Sequence, residues 1–251
     1  MDEIRWHRFD IIESTNTFLR QHGGDGADCA FEVAVSAFQA AGHGQKGNSW
    51  ESASGKNLLF SVLAHPSAVP AGRQFLISQA ISLAVSDCVA ERLGPDLGKY
   101  VSVKWPNDIY WKEFKMGGIL IENSLSGSLI SDSIVGVGLD VNQTIFLSDA
   151  PNPVSMAMVA GHEFELEPLL NAIVGRFLHY MALIGSADGQ SRIDQTYHSR
   201  LFRRDGWHRF CDAQGVFEAR ICGVEPVGCL VLETRDGEHR TYEFKQVRFV
   251  L

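Results

Sequence analysis

The sequence predicts an α+β protein in which a sheet flanked by helices is followed by a small β-barrel. Three observations predict this class. Apolar, strand-like runs bounded by turn residues dominate the middle third of the chain, and three other segments carry apolar residues at helical spacing. The last stretch, about 45 residues long, holds short strands at close spacing, and its small size predicts a domain docked on the rest.

The strands are predicted from apolar runs and from the turn residues between them. Pro106 stops one run, and Asn107 and Asp108 form a turn into the next, which predicts a hairpin. In chain order the predicted strands cover residues 32–39, 57–63, 101–105, 109–111, 118–122 and 134–139, then 217–221, 228–233 and 241–250.

The helices are predicted from periodicity and capping residues. Ser14 or Thr15 can cap a short helix that follows a strand, and such a cap is also a corner that can bind an anion. Gly94 and Pro95 end a helix over 75–93, while residues 149–155 are predicted to form a loop. Two more helices are predicted over 167–184 and 190–202.

The bulk composition is that of a soluble globular protein. The chain has 251 residues, enough for one or two domains, with 45% hydrophobic residues and a net charge of −8. Its pI of about 5.6 argues against a general nucleic-acid-binding surface. The sequence shows neither a membrane-length apolar run nor a signal-peptide core, so we expect a cytoplasmic protein that binds no membrane.

The cysteines and histidines predict no protein-built metal site. Five cysteines are present, an odd number, and none forms a Cys-x-x-Cys pair, which favours reduced thiols over disulfides or structural zinc. The nine histidines form no His-Glu-x-x-His motif.

The strongest local signal is a lysine beside a glycine pair. Lys115 precedes Gly117 and Gly118 at the start of a strand, where a ligand's carboxylate or phosphate could approach the backbone closely. A lone lysine of this kind is most often only a solvated strand end. The loop over 40–50 holds three glycines, but it lacks the ending of a nucleotide P-loop.

Five motifs occur along the chain in the same order and spacing as in the biotin protein ligases, and the chain resembles that family from end to end. They are Ser14-Thr15-Asn16, Gln39-x-x-Gly42-x-Gly44-x-x-Gly47-x-x-Trp50, Lys104-Trp105-Pro106-Asn107-Asp108, Lys115-x-Gly117-Gly118-Ile119-Leu120 and Gly136-x-Gly138. The tail over 242–247 is also similar to that family's last barrel strand.

The resemblance implies a two-domain enzyme. Residues 1–203 would form a mixed-sheet catalytic domain of the class II synthetase-like type, and residues 204–251 an SH3-like barrel. The implied activity uses ATP to convert biotin to biotinyl-AMP with release of pyrophosphate. The enzyme then transfers biotin to a lysine of a biotin carboxyl carrier protein, and a homodimer is a further possibility.

The resemblance also implies residue roles. Lys115 would meet the biotin carboxylate and the reacting phosphate, and the loop from Gly42 to Trp50 would close over the intermediate. The implied biotin-binding residues are Ser14, Thr15, Asn16, Gln39, Gly42, His43, Gly44, Gln45, Lys115, Gly117, Gly118, Gly136 and Gly138. The implied nucleotide-binding residues are Trp50, Asn107, Lys115 and Asp140.

The chemistry of this reaction explains the need for a fixed cation. Attack of a carboxylate on the α-phosphate of ATP brings two anions together, so Lys115 is the expected catalytic cation. Mg²⁺ is expected on the triphosphate, and Asp108 is expected as the second catalytic residue. Whether Asp108 lies near Mg²⁺ or near the incoming amine is open from the sequence.

Two departures from the family pattern bear on activity. His43 stands where family members usually carry arginine, with Gln45 at the second such place, so a bidentate anion contact is lost at neutral pH. Lys46 could compensate in part. Asp140 stands where the strand motif usually ends in asparagine, and it could either recruit Mg²⁺ or repel the nucleotide.

Two other functions fit the same residues, and a third does not. A lipoate or octanoate ligase or transferase would share the fold and the lysine, and a catalytically impaired biotin-binding protein would fit His43 and Asp140. A DNA-binding repressor is not expected, because the first motif begins only about ten residues from the start and the chain is acidic.

Overall fold

The computed structural model describes residues 4–24, 30–42, 44, 50–66, 68–148 and 151–251. Its larger sheet has seven strands in the order β1-β2-β3-β7-β6-β5-β4. β1 and β2 pair in parallel and every other neighbouring pair is antiparallel, so the predicted mixed sheet is confirmed. The strands are β1 (Ile4–Ile12), β2 (Phe31–Gln39), β3 (Leu58–Ala64), β4 (Val101–Lys104), β5 (Asp108–Trp111), β6 (Phe114–Ser126) and β7 (Leu129–Leu139).

Helices cover both faces of this sheet, because successive strand residues point to opposite sides. Val62 and Val135 belong to the main core with the helices α2, α4 and α5, whereas Leu63 and Ile134 pack with Leu19 of α1 on the other side. The helices are α1 (Thr15–His22), α2 (Phe75–Gly98), α3 (Met156–Ala160), α4 (Leu166–Ile184) and α5 (Ala187–Ser199), with a short 3-10 helix at Ala71–Arg73. Within the described residues, no helix is both long and apolar enough to span a membrane.

Two predicted helix ends differ from the structure. Gly94 breaks α2 at the predicted place, with φ of 76°, but a further helical turn follows it up to Gly98. The helix predicted over 190–202 begins earlier and ends at Ser199. The next residues extend along β4 instead, where Val103 N donates to Arg200 O at 2.8 Å and Phe202 N donates to Val103 O at 2.8 Å.

A second, five-stranded antiparallel sheet follows, in the order β11-β10-β9-β8-β12, and it is compatible with the SH3-like fold. Its strands are β8 (His208–Asp212), β9 (Gly215–Val224), β10 (Leu230–Thr234), β11 (His239–Tyr242) and β12 (Arg248–Phe249). The sequence did not predict β8, in which Phe210 is the one fully buried side chain among polar neighbours.

The continuous strand predicted over 241–250 is wrong. A turn over residues 243–247 separates β11 from β12, with Gln246 N donating to Glu243 O at 3.1 Å. Tyr242 and Val247 are both buried although they are five residues apart, an odd spacing that cannot place two side chains on one face of a strand. Lys245 adopts a φ of 70° within this turn.

The second sheet is anchored to the first part of the chain. The buried Trp105 donates from Nε1 to Gly228 O at 2.8 Å, and His198 Nε2 accepts from Val224 N at 2.9 Å. Gly228 lies so close to Phe75 that a Cβ there would be 2.8 Å from the ring, and its φ of 106° also favours glycine. This docking holds the second sheet beside the carboxyl end of β4.

Candidate functional site

A cleft of about 920 Å³ opens on the face of the larger sheet that carries α1. Gly118 on β6 pairs with Gly138 on β7, and Leu120 pairs with Gly136, so glycines clear space on neighbouring strands. The start of α1 lies at one end of the cleft, and the turn between β11 and β12 contributes lining residues from the second sheet. The cleft is therefore built by both parts of the chain.

One end of the cleft carries a buried polar network at the start of α1. Gln39 Oε1 accepts from Thr15 N at 2.8 Å, and the hydroxyl of Thr15 lies 2.6 Å from that of Ser61. Ser61 in turn donates to Asn16 Oδ1 at 2.6 Å. Ser14 caps the helix by accepting from a backbone N–H. The network fixes donor and acceptor groups in positions that a polar ligand could use.

Asn16 is held from both sides. Its Nδ2 donates to Glu122 Oε2 at 2.9 Å, and Glu122 also pairs with Arg20. A Cβ at Gly136 would lie 2.2 Å from Asn16 Oδ1, so the side chain occupies space that only glycine leaves open. The glycine on β7 is thus explained by the position of Asn16.

Lys115 also lines the cleft, and it lies near the start of β6, just after the predicted hairpin of β4 and β5. Its Nζ is 2.6 Å from Asp108 Oδ1, and Lys104 Nζ is 3.9 Å from the other oxygen of that carboxylate. Burial lowers the pKa of Lys104. Asn107 locks the turn to β6, because its Nδ2 donates to Ile119 O at 2.6 Å. Two lysines therefore share one carboxylate beside the cleft.

Trp50 packs flat on the glycines of β6 and β7. A Cβ at Gly138 would lie 2.5 Å from Trp50 Cε2, and one at Gly118 would lie 3.0 Å from Cζ3. Lys115 Nζ is 5.7 Å from the centroid of this ring. The buried Trp50 Nε1 has no hydrogen-bond partner among the described residues.

Asp140 directly follows β7, and its carboxyl group is nearly enclosed, with the residue only 4% exposed. Asn57 Nδ2 donates to its Oδ1 at 3.2 Å. Burial raises the pKa of Asp140 well above its usual value, although the charge of Lys115 opposes this. Burial thus disfavours the charged form of Asp140, the form that would repel a nucleotide.

Glu51 joins two loops at the rim of the cleft. Its carboxylate accepts from Leu147 N at 2.8 Å and from Ser148 N at 2.7 Å. A hydrogen bond with the Ser148 side chain, together with these backbone hydrogen bonds, lowers the pKa of Glu51. Trp50 N donates to Gly42 O at 3.1 Å, which closes the base of the glycine loop. Glu51 thus ties the end of the glycine loop to the segment at 143–148.

Replacing Glu51 with glutamine should loosen this segment. Charge-assisted hydrogen bonds exceed neutral ones by about 1 kcal/mol, so exchange of the Leu147 and Ser148 amides should be about fivefold faster at pH 7. Hydrogen exchange, corrected for intrinsic rates, measures this. Glu163→Gln is the matched control, because Glu163 pairs with Lys56 at the surface.

The wild type should lose the same protection in acid. Because the folded-state pKa of Glu51 is lowered, its contribution is present above the ordinary glutamate pKa of about 4.3 and is lost as pH falls through the folded value. The glutamine variant should show no such change. Equal protection of the two proteins at pH 7 would contradict the role of Glu51.

The structure brings together most of the residues singled out in the sequence. Gly42 and Gly117 do not line the cleft, and a Cβ at Gly117 would meet Leu139 and Ile109 instead of open space. His43 and Gln45 lie outside the described residues. The predicted residues that line the cleft are Ser14, Thr15, Asn16, Gln39, Gly44, Trp50, Asn107, Asp108, Lys115, Gly118, Gly136, Gly138 and Asp140.

Other lining residues were missed from the sequence. Lys104 was visible as the first residue of its motif but received no role. Glu51 directly follows the glycine-loop motif, and it too received no role. Other lining residues carry no local signal because the fold brings them in from other segments, among them Phe60, Phe146, Phe244, Lys245, Arg248 and Phe249.

The fold and the site together define a protein that binds a small ligand in a cleft. The network around Asn16 suits a polar ring at one end, and Lys115 suits an anionic group further along. The family model described as "Biotin/lipoate A/B protein ligase family" matches residues 9–140, which is more than half of the chain. The chain therefore belongs to the biotin/lipoate A/B protein ligase family.

Individual relatives agree with this family. The chain is 28% identical over 211 residues to a biotin–[acetyl-CoA-carboxylase] ligase of Paracoccus denitrificans, covering 77% of this chain and 80% of that protein. It is 24% identical over 242 residues to the bifunctional ligase/repressor BirA of Bacillus spizizenii, covering 93% of this chain and 70% of that protein.

The fold is also that of a solved biotin protein ligase. The structure of the enzyme from Aquifex aeolicus, in complex with biotin and ATP, matches with a TM-score of 0.78 and 20% sequence identity. The match covers 100% of each chain, so it includes the second sheet.

Proposed function

We propose that this protein is an ATP-dependent biotin protein ligase. It activates biotin as biotinyl-AMP and transfers the biotinyl group to a lysine of a biotin carboxyl carrier protein. The observation that carries the proposal is a single cleft with a polar network at one end and Lys115, paired with Asp108, further along. Family membership and the ligase names of the relatives support it.

The polar network suits the ring system of biotin. A ureido ring offers two N–H donors and one carbonyl acceptor, and the side chains of Thr15, Asn16, Gln39 and Ser61 offer groups of both kinds within one buried cluster. A lipoyl ring has no N–H group to pair with these side chains. The network therefore favours biotin over lipoate or octanoate.

Lys115 would serve the first chemical step. An oxygen of the biotin carboxylate forms a bond to the α-phosphorus of ATP, and the bond from that phosphorus to the bridging oxygen of pyrophosphate breaks. Charge accumulates on the phosphoryl oxygens as this happens, and a fixed ammonium group offsets it. The carboxylate of Asp108 holds the ammonium group of Lys115 in place beside the cleft.

The nucleotide would occupy the part of the cleft beside Trp50 and the second sheet. The flat Trp50 ring offers a stacking surface, and Lys104, Lys245 and Arg248 line the cleft as cations for the triphosphate. We also propose the domain division between residues 203 and 204, with the second domain completing the nucleotide end of the cleft.

Mg²⁺ would enter with the triphosphate and neutralise part of its charge. Asp108 is the better placed carboxylate to hold it, because burial raises the pKa of Asp140 and disfavours the charged form that metal binding needs. A carboxylate at Asp108 could also take up the proton released when the carrier lysine attacks the mixed anhydride. A cytoplasmic location and a homodimer stay predictions.

The function is tested by transfer of labelled biotin to a purified carrier domain with ATP and Mg²⁺. We expect ATP-dependent labelling of the carrier lysine and pyrophosphate release in equal amounts. Lipoate and octanoate, offered with a lipoyl domain, should give no labelling. Tight biotin binding without ATP consumption would contradict the proposal and identify an impaired binding protein instead.

A further inference from the structure

Three side chains with metal-binding atoms meet on the outer face of the second sheet, away from the cleft. They are Cys222 on β9, Glu233 on β10 and His239 on β11, and one ligand atom from each lies within 4.8 Å of the other two. Glu233 pairs directly with His239 on one side and with Arg220 on the other. Cys222, two residues after Arg220, is skipped where the register of β9 and β10 shifts, and its Sγ reaches the same Glu233 carboxylate.

The spacing of these atoms is close to that of a metal site. Cys222 Sγ lies 3.7 Å from Glu233 Oε2, and His239 Nε2 lies 3.8 Å from the same oxygen. Around a tetrahedral Zn²⁺ with the usual metal–ligand distances, a sulfur and an oxygen ligand lie about 3.5 Å apart, and a nitrogen and an oxygen ligand lie about 3.3 Å apart. Movements of a few tenths of an ångström in these side chains would bring both the sulfur–oxygen pair and the nitrogen–oxygen pair to the separations found around Zn²⁺.

We propose that Cys222, Glu233 and His239 form a binding site for a divalent cation of the zinc type. A thiolate, an imidazole and a carboxylate are a donor set that suits Zn²⁺ and disfavours Mg²⁺ or Ca²⁺. The thiol of Cys222 donates to Glu233 in this structure, so a cation between the two would replace the thiol proton. The exposed side of the cluster leaves the fourth position to water.

Arg220 competes with the cation for the shared carboxylate. Its Nε and Nη2 donate to Glu233 Oε2 at 3.0 and 2.7 Å, and its guanidinium group also packs over the Trp207 ring. A bound cation must displace this ion pair and would then repel the guanidinium group. Removing the arginine should therefore strengthen metal binding, an effect opposite to that of removing a ligand.

The site was not expected from the sequence, which predicted no metal–thiolate site. The three ligands occupy three different strands and match no metal-binding motif. Only the pairing of β9, β10 and β11 brings them together, and none of the three lines the catalytic cleft. The inference is therefore independent of the proposed ligase activity.

The test is a Co²⁺ titration of the purified, reduced chain, followed by the thiolate-to-cobalt absorption in the near ultraviolet. We expect one Co²⁺ per chain, displaced by Zn²⁺. The absorption should be lost in Cys222→Ser, and affinity should fall at least tenfold in His239→Ala and Glu233→Gln. Cys229→Ser, at another cysteine of the second sheet, is the matched control and should behave as wild type.

Arg220→Ala should bind Co²⁺ about tenfold more tightly than wild type, because the competing ion pair is gone. Biotin transfer by all these variants should be unchanged, which shows that they are folded. An absent cobalt–thiolate absorption in wild type, or an undiminished one in Cys222→Ser, would overturn the proposal whatever the outcome of the ligase assay.

Discussion

Replacing Lys115 with alanine should lower the rate of biotinyl-AMP formation by about two to three orders of magnitude. The side chain is the cation that contacts Asp108 at 2.6 Å beside the cleft, and its loss leaves the developing phosphoryl charge without a fixed partner. The effect should fall on kcat more than on the KM for biotin, because the polar network around Asn16 is unchanged. Isotope exchange between pyrophosphate and ATP measures this step alone.

Lys112→Ala is the matched control for this experiment. Lys112 lies on the same hairpin, is exposed, and packs over Tyr100 and Trp111 instead of Asp108. Its loss should leave the exchange rate within a factor of about two, as surface substitutions usually do. A Lys115→Ala variant with near wild-type exchange would remove the central residue of the proposed mechanism.

Replacing Gly136 with alanine should weaken the binding of one substrate, and replacing Gly138 with alanine should weaken the binding of the other. A Cβ at Gly136 would lie 2.2 Å from Asn16 Oδ1, and one at Gly138 would lie 2.5 Å from Trp50 Cε2. Forced repacking of this kind typically costs about 1–3 kcal/mol, or about five- to 150-fold in affinity. We expect Gly136→Ala to raise the KM for biotin and Gly138→Ala to raise the KM for ATP.

Gly175→Ala provides the control for the glycine variants. A Cβ at this position of α4 would meet no described atom within 4 Å, and alanine favours a helix over glycine. Its activity should equal that of the wild type, with slightly higher stability in urea unfolding. The assignment of the two ends of the cleft would be wrong if both active-site variants raised the KM for the same substrate.

The second sheet is the part of the site that the sequence could not place. Phe244, Lys245 and Arg248 line the cleft because a turn interrupts the predicted last strand. Apolar residues alternate both before and after this turn, as in a strand. The break shows only in the spacing of the buried residues Tyr242 and Val247, because an odd spacing would place them on opposite faces of one strand.

Local chemistry determined most of the first sheet and the lysine end of the site. Pro106, Asn107 and Asp108 specify the hairpin of β4 and β5 by turn preference alone. The next strand, β6, follows after a short turn and pairs with β5, which brings the side chain of Lys115 within reach of Asp108. The order of the motifs then determined the family. These features could be predicted because each depends on residues close together in the chain.

The tertiary structure alone decided the groups that meet from distant segments. Ser61 joins Thr15 to Asn16, and Glu51 joins the glycine loop to residues 147 and 148, through hydrogen bonds that no sequence spacing encodes. The same holds for the Cys222 cluster, whose members lie on three strands. The strand order and the register of the strands decide which of these side chains meet. Both depend on the packing of the whole chain and not on any local sequence pattern.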